Sequence, residues 1–141
     1  MQSTARKTVS APIDVVWGVL ADHEGMHNWG PGISAKVTST GATEPNGVGA
    51  VRRITTPLPL PAIVEEITAF EPGRRLSYKA VAGVPLRNYH GDVVLEAAGD
   101  GTAISYTVVA DQRVPLVEKA VTKAIATSLL GGLVRAVKKA G

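Results

Sequence analysis

The sequence predicts an α+β fold in which one curved antiparallel sheet of about seven strands wraps around a long C-terminal helix. Between residues 34 and 110, short segments of alternating polarity recur at hairpin spacing, separated by Gly, Pro, Asn and Asp turns. A continuous helical segment follows over about 114–140. Consecutive strands with tight turns form an antiparallel sheet, and one face of such a sheet needs an apolar partner. The terminal helix is long enough to be that partner.

The N-terminal part is predicted as a strand over 4–10 followed by two short helices. Pro12 suits the first position of a helix, and Asp14 in the first turn interacts favourably with the helix dipole. A second helical turn over 24–29 should end at Gly30-Pro31-Gly32, which cannot continue it. The first helix carries an apolar stripe at helical spacing, made of Ile13, Val16, Trp17 and Leu20.

Six further strands are predicted along the rest of the chain. Asp100-Gly101 is a strong hairpin signal, whereas the proline-rich segment 57–61 must be a loop or an edge. In the last helix, Gly131 and Gly132 lower helix stability. We therefore expect either that this helix bends around a ligand or that its backbone passes close to the sheet. The six strands lie over 34–39, 50–55, 63–70, 75–81, 88–97 and 102–110.

Composition limits the class of protein. A chain of 141 residues with 45% hydrophobic and 19% charged residues is expected to form a single globular domain over 1–141. The sequence has no cysteine, which excludes disulfides, thiolate metal sites and cysteine nucleophiles. The segment MQSTARKTVSAP lacks an apolar core of signal-peptide length, and we find no apolar run long enough to span a membrane. We therefore expect a cytoplasmic protein that does not insert into a membrane.

The segment His23-Glu24-Gly25-Met26-His27 matches the H-E-x-x-H pattern of zinc proteases. In those enzymes two histidines one helical turn apart share a metal, and the glutamate acts as general base. Here Gly25 weakens any helix, and Gly30-Pro31-Gly32 ends it almost at once. A third ligand is also needed, and the remaining histidine, His90, lies on a distant strand. We expect no metal and no other cofactor.

Several segments carry a family resemblance when they are taken in chain order. They are VSAPIDVVW (9–17), MHNWGPG (26–32), NGVGAVR (46–52), EEITAFEP (65–72) with LSY (76–78), and GDGT (99–102) before a strand that carries Tyr106. Together they resemble the START/Bet v 1-like (SRPBCC) superfamily, which has the helix-grip fold, and within it the polyketide cyclase/dehydrase-like proteins. The resemblance implies a cavity between sheet and helix that holds a hydrophobic or aromatic molecule. Because members include cyclases, carriers and ribosome-associated toxins, the fold alone does not decide the function.

Strand alternation gives the candidate ligand-binding residues. Tyr78, Tyr89 and Tyr106 fall on the predicted inward faces of three strands. An aliphatic cavity with a few hydroxyl groups suits an amphipathic ring system, although tyrosines can also be core residues whose hydroxyls bond to neighbours. Trp29, in a turn bounded by glycines, is a candidate for a gate or a packing residue. The further candidates are the apolar residues Trp17, Ile67, Val93 and Ile104.

Two adjacent pairs of charged residues are the candidates for chemistry. One of Glu65 and Glu66 must point inward, and the same holds for Arg52 and Arg53. We select Arg53 and Glu65 as candidate catalytic residues, because an inward pair could orient a phenol or carbonyl and shift a pKa for acid–base work. The alternative is a purely structural ion pair.

The expected partner is a hydrophobic small molecule, polyketide-like or lipid-like. The enzyme hypothesis is cyclisation or dehydration of that molecule; the alternatives are a carrier without catalysis and a toxin-like protein that contacts RNA or ribosomes. The last hypothesis rests on the basic C-terminal helix, since six basic residues and only one acidic residue follow from Arg113 onward. We expect a monomer or a weak homodimer formed through a sheet edge or the 57–61 loop.

Overall fold

The computed structural model describes residues 2–111 and 115–140, with the backbone alone described for 115–119. Its helices are α1 (Ile13–Ala21), a 3₁₀ helix (His23–Asn28) and α2 (Pro115–Ala140). Its strands are β1 (Gln2–Val9), β2 (Ser34–Ser39), β3 (Val51–Thr55), β4 (Ile63–Glu71), β5 (Arg75–Ala82), β6 (His90–Ala98) and β7 (Gly101–Val109). The predicted order of elements is confirmed.

The seven strands form one sheet in the order β1-β7-β6-β5-β4-β3-β2. Every neighbouring pair is antiparallel. Strands β2 to β7 follow one another in sequence, and β1 joins the far side of β7 with Gln2 opposite Val109. The chain start is therefore paired with the last strand, which leaves β1 and β2 as the two edges of the sheet.

Strand β4 is where the sheet departs most from regular pairing. Its register against β5 shifts between Val64 and Glu65 and again between Ile67 and Ala69. Such bulges bend a strand and increase its twist. They lie next to β3, at the end of the sheet that carries the polar residues described below, and they help to form the concave face.

Helix α1 begins one residue later than the sequence suggests. Pro12 has extended backbone angles and is the N-cap, and its carbonyl accepts the amides of Val15 and Val16 at 3.1 and 3.2 Å. The fixed φ of proline still prepares the helix start, because the carbonyl of an N-cap residue accepts the first helical hydrogen bonds. Val16 and Leu20 then bury the inner face of α1 against the core.

Helix α2 packs across the concave face of the sheet. The two glycines in its middle differ in their surroundings. Added to Gly132, a Cβ would lie 3.1 Å from the carbonyl oxygen and 3.2 Å from the Cβ of Trp29, whereas a Cβ added to Gly131 would meet nothing within 4 Å. The helix backbone therefore does pass close to another segment at Gly132, but that segment is the turn at Trp29 rather than the sheet. The main buried residues of α2 are Ala126, Leu130, Leu133, Val134, Ala136 and Val137.

The segment Ala120–Ala140 of α2 is long and apolar enough, by length and composition, to cross a membrane. This corrects the expectation that no such apolar segment exists. The buried residues of α2 lie against the sheet, and the core helix of a soluble protein meets the same criterion. The segment is thus weak support for membrane insertion, and the cytoplasmic location stays a prediction.

Candidate functional site

A cavity of about 340 Å³ lies between the concave face of the sheet and the middle of α2. Residues of β3, β4, β5 and β7, together with Tyr89 just before β6, form one wall. Ile125, Ser128 and Leu129 of α2 form the opposite wall. The loops 56–61 and 83–85 border the opening, where Leu58 and Leu60 are exposed. Most lining residues are apolar, and the charged and phenolic ones are grouped on or beside the sheet, whereas the hydroxyls of Thr56 and Ser128 lie apart from them. A few polar groups in an apolar site are the usual composition of a small-molecule site.

An ion pair is buried in the wall of this cavity. Arg52 of β3 and Glu65 of β4 stand directly opposite each other in the sheet, with both side chains on the concave face. The Nη2 of Arg52 lies 2.8 Å from Glu65 Oε1, and Arg52 Nε donates to the same oxygen at 2.9 Å. Their side chains are only 4% and 6% exposed. Because directly opposed side chains of antiparallel strands are close, the register alone brings the two charges together.

His23 holds Arg52 from the other side. Arg52 Nη1 donates to His23 Nδ1 at 3.1 Å, and His23 Nε2 donates to the carbonyl oxygen of Asn46 at 2.8 Å. The Asn46 amide in turn donates to the carbonyl of Ala21 at 2.9 Å. Burial, together with the charge of Arg52, lowers the pKa of His23 to about 4. His23 is therefore neutral at physiological pH and positions the guanidinium without carrying a charge itself.

Three tyrosines complete the polar part of the wall. The guanidinium of Arg52 lies over the ring of Tyr78, 4.9 Å from its centroid, a cation–π arrangement. The hydroxyls of Tyr78 and Tyr106 are 2.7 Å apart, and the rings of Tyr78 and Tyr89 are 6.5 Å apart. Burial raises the pKa of Tyr78 and Tyr106 well above the usual value and that of Tyr89 to about 12. All three hydroxyls therefore stay protonated and can donate hydrogen bonds at neutral pH.

The position of the Tyr78 ring depends on a glycine in the neighbouring strand. Gly91 on β6 is the direct partner of Tyr78 on β5. A Cβ added at Gly91 would collide with the Tyr78 ring and hydroxyl. The glycine therefore leaves the space that the tyrosine fills.

The structure brings five of the predicted site residues to the cavity. Trp29, Tyr78, Tyr89, Tyr106 and Glu65 all line it. That these residues bind a ligand or act in chemistry stays a prediction.

Arg53 is placed differently from the prediction. It is exposed on the convex face, and Arg52 occupies the inward position beside Glu65. The reason is the alternation of β3, in which Arg52 and Ile54 share the buried face. The candidate arginine is thus Arg52, and Arg53 is corrected to a surface residue.

The other predicted ligand-binding residues do not line the cavity. Ile67, Val93 and Ile104 are fully buried where the space between sheet and helix is filled by side chains. Trp17 is half-buried and packs edge-to-face on Phe70, with ring centroids 5.1 Å apart. Val93 and Ile104 lie on the concave face that strand alternation predicted for them, and all four residues pack with the core rather than around the cavity.

The H-E-x-x-H segment is a 3₁₀ helix in which each polar group has another role. Both ring nitrogens of His23 are hydrogen-bonded, as described above. Glu24 Oε2 accepts the amide of Val37 at 3.0 Å, and His27 Nδ1 donates to the carbonyl of Glu24 at 3.1 Å. Among the side chains described, those of residues 2–111 and 120–140, no group of three or more His, Asp or Glu is arranged to hold a metal ion.

The basic residues of α2 do not all have the same role. Lys123, Lys138 and Lys139 are exposed, whereas Arg135 donates from Nε and Nη2 to the carbonyl of Trp29 at 3.1 and 3.0 Å. Arg113 and the side chain of Lys119 lie outside the described residues. Contact with RNA or ribosomes stays an untested prediction.

Comparison with solved structures shows the same fold in proteins of low sequence identity. TTHA0849 from Thermus thermophilus is 22% identical with a TM-score of 0.76, covering 100% of this chain and 99% of its own. Ara h 8.0201 is 17% identical with a TM-score of 0.71, covering 98% of both chains. CalU16 from Micromonospora echinospora is 21% identical with a TM-score of 0.66, covering 99% of this chain and 82% of its own.

No curated protein sequence matches the chain. The family model described as polyketide cyclase / dehydrase and lipid transport matches residues 1–138. The resemblance carried by the sequence segments is therefore confirmed over nearly the whole length. The chain belongs to the polyketide cyclase / dehydrase and lipid transport family.

Proposed function

We propose that this protein binds a compact, mostly apolar ring molecule with oxygen functions in the cavity between the sheet and α2. Membership of the family supports a hydrophobic ligand in general. The observation that carries the more specific proposal is the arrangement of the cavity wall. The lining residues of α2 and the loops, which are apolar except for Ser128 and Thr56, face a polar group formed by Arg52, Glu65 and the three tyrosines. A few convergent polar groups in an apolar site fix the orientation of a ligand.

The volume of the cavity limits the size of the ligand. At 340 Å³ the cavity lies near the lower end of the range of about 300–1,000 Å³ that is usual for small-molecule sites. A molecule with one or two fused rings fits this volume, whereas a long acyl chain or a four-ring polyketide would extend through the opening past Leu58 and Leu60.

The charge state of the wall favours neutral oxygens in the ligand. The positive charge of Arg52 is compensated by Glu65, 2.8 Å away. Tyrosine hydroxyls are protonated at neutral pH, and burial moves these three further from ionisation by raising the pKa of each of them. A phenol or ketone can exchange hydrogen bonds with these hydroxyls, and its rings can pack on the apolar side of the cavity.

The test begins with native mass spectrometry of the purified protein and extraction of any retained molecule. Calorimetry with 6-hydroxy-1-tetralone, a two-ring phenol ketone, then measures binding to a defined probe. We expect Ser128→Phe, which fills the cavity from α2, to weaken binding more than about tenfold. Thr127→Phe is the matched control, since Thr127 is exposed and does not line the cavity. Equal affinities of the two variants would place the binding site elsewhere.

A second candidate function is catalysis of cyclisation and dehydration. It is favoured by one observation, namely that a carboxylate and neutral hydroxyl donors line the same cavity. In this scheme a tyrosine hydroxyl polarises a ketone and Glu65 takes the proton from the adjacent carbon. The resulting enolate carbon forms a bond to a second carbonyl carbon of the same molecule, and the new alkoxide is protonated. Loss of a further proton and of the hydroxyl as water then forms the double bond.

The probe for turnover is 2,6-heptanedione, whose cyclisation releases one water and gives 3-methylcyclohex-2-enone. Product formation is followed by NMR, with Glu65→Gln as the test variant and Glu66→Gln as the control. The amide of Gln can still accept a hydrogen bond from Arg52 but cannot take up the proton. Turnover that is lost only in Glu65→Gln supports an enzyme. Binding of the tetralone without any turnover of the diketone supports a carrier.

A further inference from the structure

One oxygen of the Glu65 carboxylate has no partner. Both contacts with Arg52 go to Oε1, at 2.8 and 2.9 Å. Among the described residues, no group donates a hydrogen bond to Oε2. A carboxylate accepts hydrogen bonds at both of its oxygens. The second oxygen of Glu65 is therefore an unused acceptor.

This unused oxygen is in contact with open space. Of the polar side-chain atoms described, Trp29 Nε1 alone is both fully buried and unpaired, so Oε2, which also lacks a partner, is not fully buried. The Glu65 side chain is 6% exposed, and the open space that it lines is the cavity. A molecule in the cavity can therefore reach Oε2.

The charges around Oε2 favour a neutral donor. Arg52 offsets the charge of Glu65 at 2.8 Å and would repel a second cation, whereas Glu65 itself would repel an anion. His23 is neutral because burial and the charge of Arg52 lower its pKa to about 4. The described residues of α2 that line the cavity carry no charge. The group that fits Oε2 is thus an uncharged O–H, and a hydrogen bond from it to a carboxylate is stronger than one between neutral groups.

We infer that Glu65 Oε2 accepts a hydrogen bond from a phenol O–H of the bound molecule and so selects phenols over their ethers. The inference rests on the proposed function and deepens it, because it requires one oxygen of the ligand to be a hydrogen-bond donor. A phenol suits the site better than an aliphatic alcohol, since its O–H is the stronger donor and its ring packs on the apolar wall. The ligand class is thus a neutral phenol with one or two rings.

The test compares 5,6,7,8-tetrahydro-2-naphthol with its methyl ether, in which the same oxygen carries a methyl group instead of hydrogen. Calorimetry should show that the phenol binds about tenfold more tightly to the unchanged protein. In Glu65→Gln the amide oxygen still faces Arg52, which has only donors, so the amide NH₂ takes the place of Oε2. This NH₂ can donate to the phenol and to the ether alike, and the affinity ratio should fall to near one.

The matched control is Glu66→Gln. Glu66 lies on the same strand and alternates with Glu65, so its side chain is on the convex face. This variant should keep the ratio near tenfold. Because Glu and Gln have the same shape, the extra methyl group of the ether affects all three proteins equally. Thermal melting of both variants establishes that each is folded.

A second measurement needs no substitution. 4-Nitrophenol ionises near neutral pH and is colourless as the phenol but yellow as the phenolate. We expect the protein to bind the colourless form, since the phenolate has no proton to donate and is repelled by Glu65. The affinity should fall by about tenfold for each pH unit once the free phenol is mostly ionised. The affinity for 4-nitroanisole, which has no such proton, should stay constant over the same range.

The outcomes separate the inference from the proposed function. If none of these probes binds, the proposed function fails and the inference fails with it. The inference alone is overturned if phenol and ether bind equally to the unchanged protein or if the tenfold ratio survives in Glu65→Gln. Binding of 4-nitrophenol as the yellow phenolate would overturn it as well, because the ligand oxygen would then face Arg52 as an anion.

Discussion

The concave and convex faces of the sheet each carry an arginine–carboxylate pair, and the two pairs differ in surroundings rather than in chemistry. Arg52 Nε lies 2.9 Å from Glu65 on the concave face, and Arg75 Nε lies 2.7 Å from Asp92 on the convex face. The inner side chains are 4% and 6% exposed, the outer ones 47% and 26%. Similar contacts thus stand in low and high dielectric surroundings. Asp92 also accepts a hydrogen bond from the Ser77 hydroxyl, but only the inner pair is buried.

Burial makes the inner pair costly to break. When an exposed ion pair is broken, water replaces the lost contact at little cost in free energy. A buried charge that loses its partner has no water to replace it. Arg52 is also bonded to His23 and stacked on Tyr78, so its position is defined from three directions. A fixed polar group of this kind suits ligand orientation better than it suits stability.

The greatest loss of stability should follow from breaking the inner pair. Arg52→Met leaves the Glu65 carboxylate buried without its partner, and we expect it to lower the free energy of unfolding by about 3–5 kcal/mol. Arg75→Met, the matched change on the convex face, should cost less than about 1 kcal/mol. Urea denaturation of the two variants measures both. Similar costs for the two variants would show that the inner pair is not desolvated as the structure indicates.

The next effect concerns pH and comes from His23. Its pKa of about 4 in the folded protein lies below the value of 6.5 for an unperturbed histidine. Between these values the unfolded chain binds the proton more readily, so stability falls as the pH falls from about 6.5 to about 4. The total loss is about 3 kcal/mol. His23→Gln should flatten this part of the profile.

The control for that profile is His90→Gln on the convex face. His90 is exposed and bonded only to the carbonyl of Asn88 among the contacts described. Urea denaturation at several pH values should therefore give the same slope in this variant as in the unchanged protein. A slope that survives in His23→Gln would assign the pH dependence to another group.

A smaller effect is expected at the hydroxyl pair. Tyr106→Phe removes the partner that lies 2.7 Å from the Tyr78 hydroxyl, and the loss should be about 1 kcal/mol of stability. Thr107→Val is the neighbouring change; its hydroxyl bonds to Thr4 at 2.8 Å in a less buried position. We expect a smaller loss there, because water can replace the partner. Thermal melting compares the two, and a larger loss in Thr107→Val would contradict the expected role of burial.

The weakest effect should be the salt dependence of the outer pair. Asp92→Asn should change stability by less than about 1 kcal/mol, and that difference should shrink further at 1 M salt, where the Debye length is about 3 Å. The inner pair is shielded from ions by the protein, so the cost of Arg52→Met should stay nearly constant. Parallel denaturation series at low and high salt test this contrast. A strong salt dependence of Arg52→Met would indicate that solvent reaches the inner pair.

Much of the fold could be predicted because its signals are local. Alternation and Asp100-Gly101 define the last hairpin without any tertiary information, and β6 and β7 are paired as expected. The two arginines of β3 are different, since Val51 and Ile54 make either face acceptable in the sequence. Only the packing of Ile54 in the core decides that Arg52 is the inward residue.

The cavity was less predictable from the sequence than the inward faces of the strands that surround it. Alternation assigns Val93 and Tyr78 equally to the inside, but it does not distinguish a position filled by side chains from one beside an empty space. That distinction depends on where α2 and the loops around 57–61 and 83–85 stop filling the concave face. The role of His23 was also out of reach, because its partners Asn46 and Arg52 are distant in sequence and its spacing matched an unrelated metal motif.

The pairing of Tyr78 with Gly91 constrains how such a site can diverge in evolution. A side chain at position 91 would collide with the aromatic ring at position 78. The two positions are therefore expected to change in one order, with a smaller residue replacing Tyr78 before any side chain is gained at Gly91. A chain that has taken both steps could not regain the tyrosine by a single substitution. The hydroxyl pair and the cation–π contact of Arg52 would be lost together, and the polar part of the cavity wall would be changed lastingly.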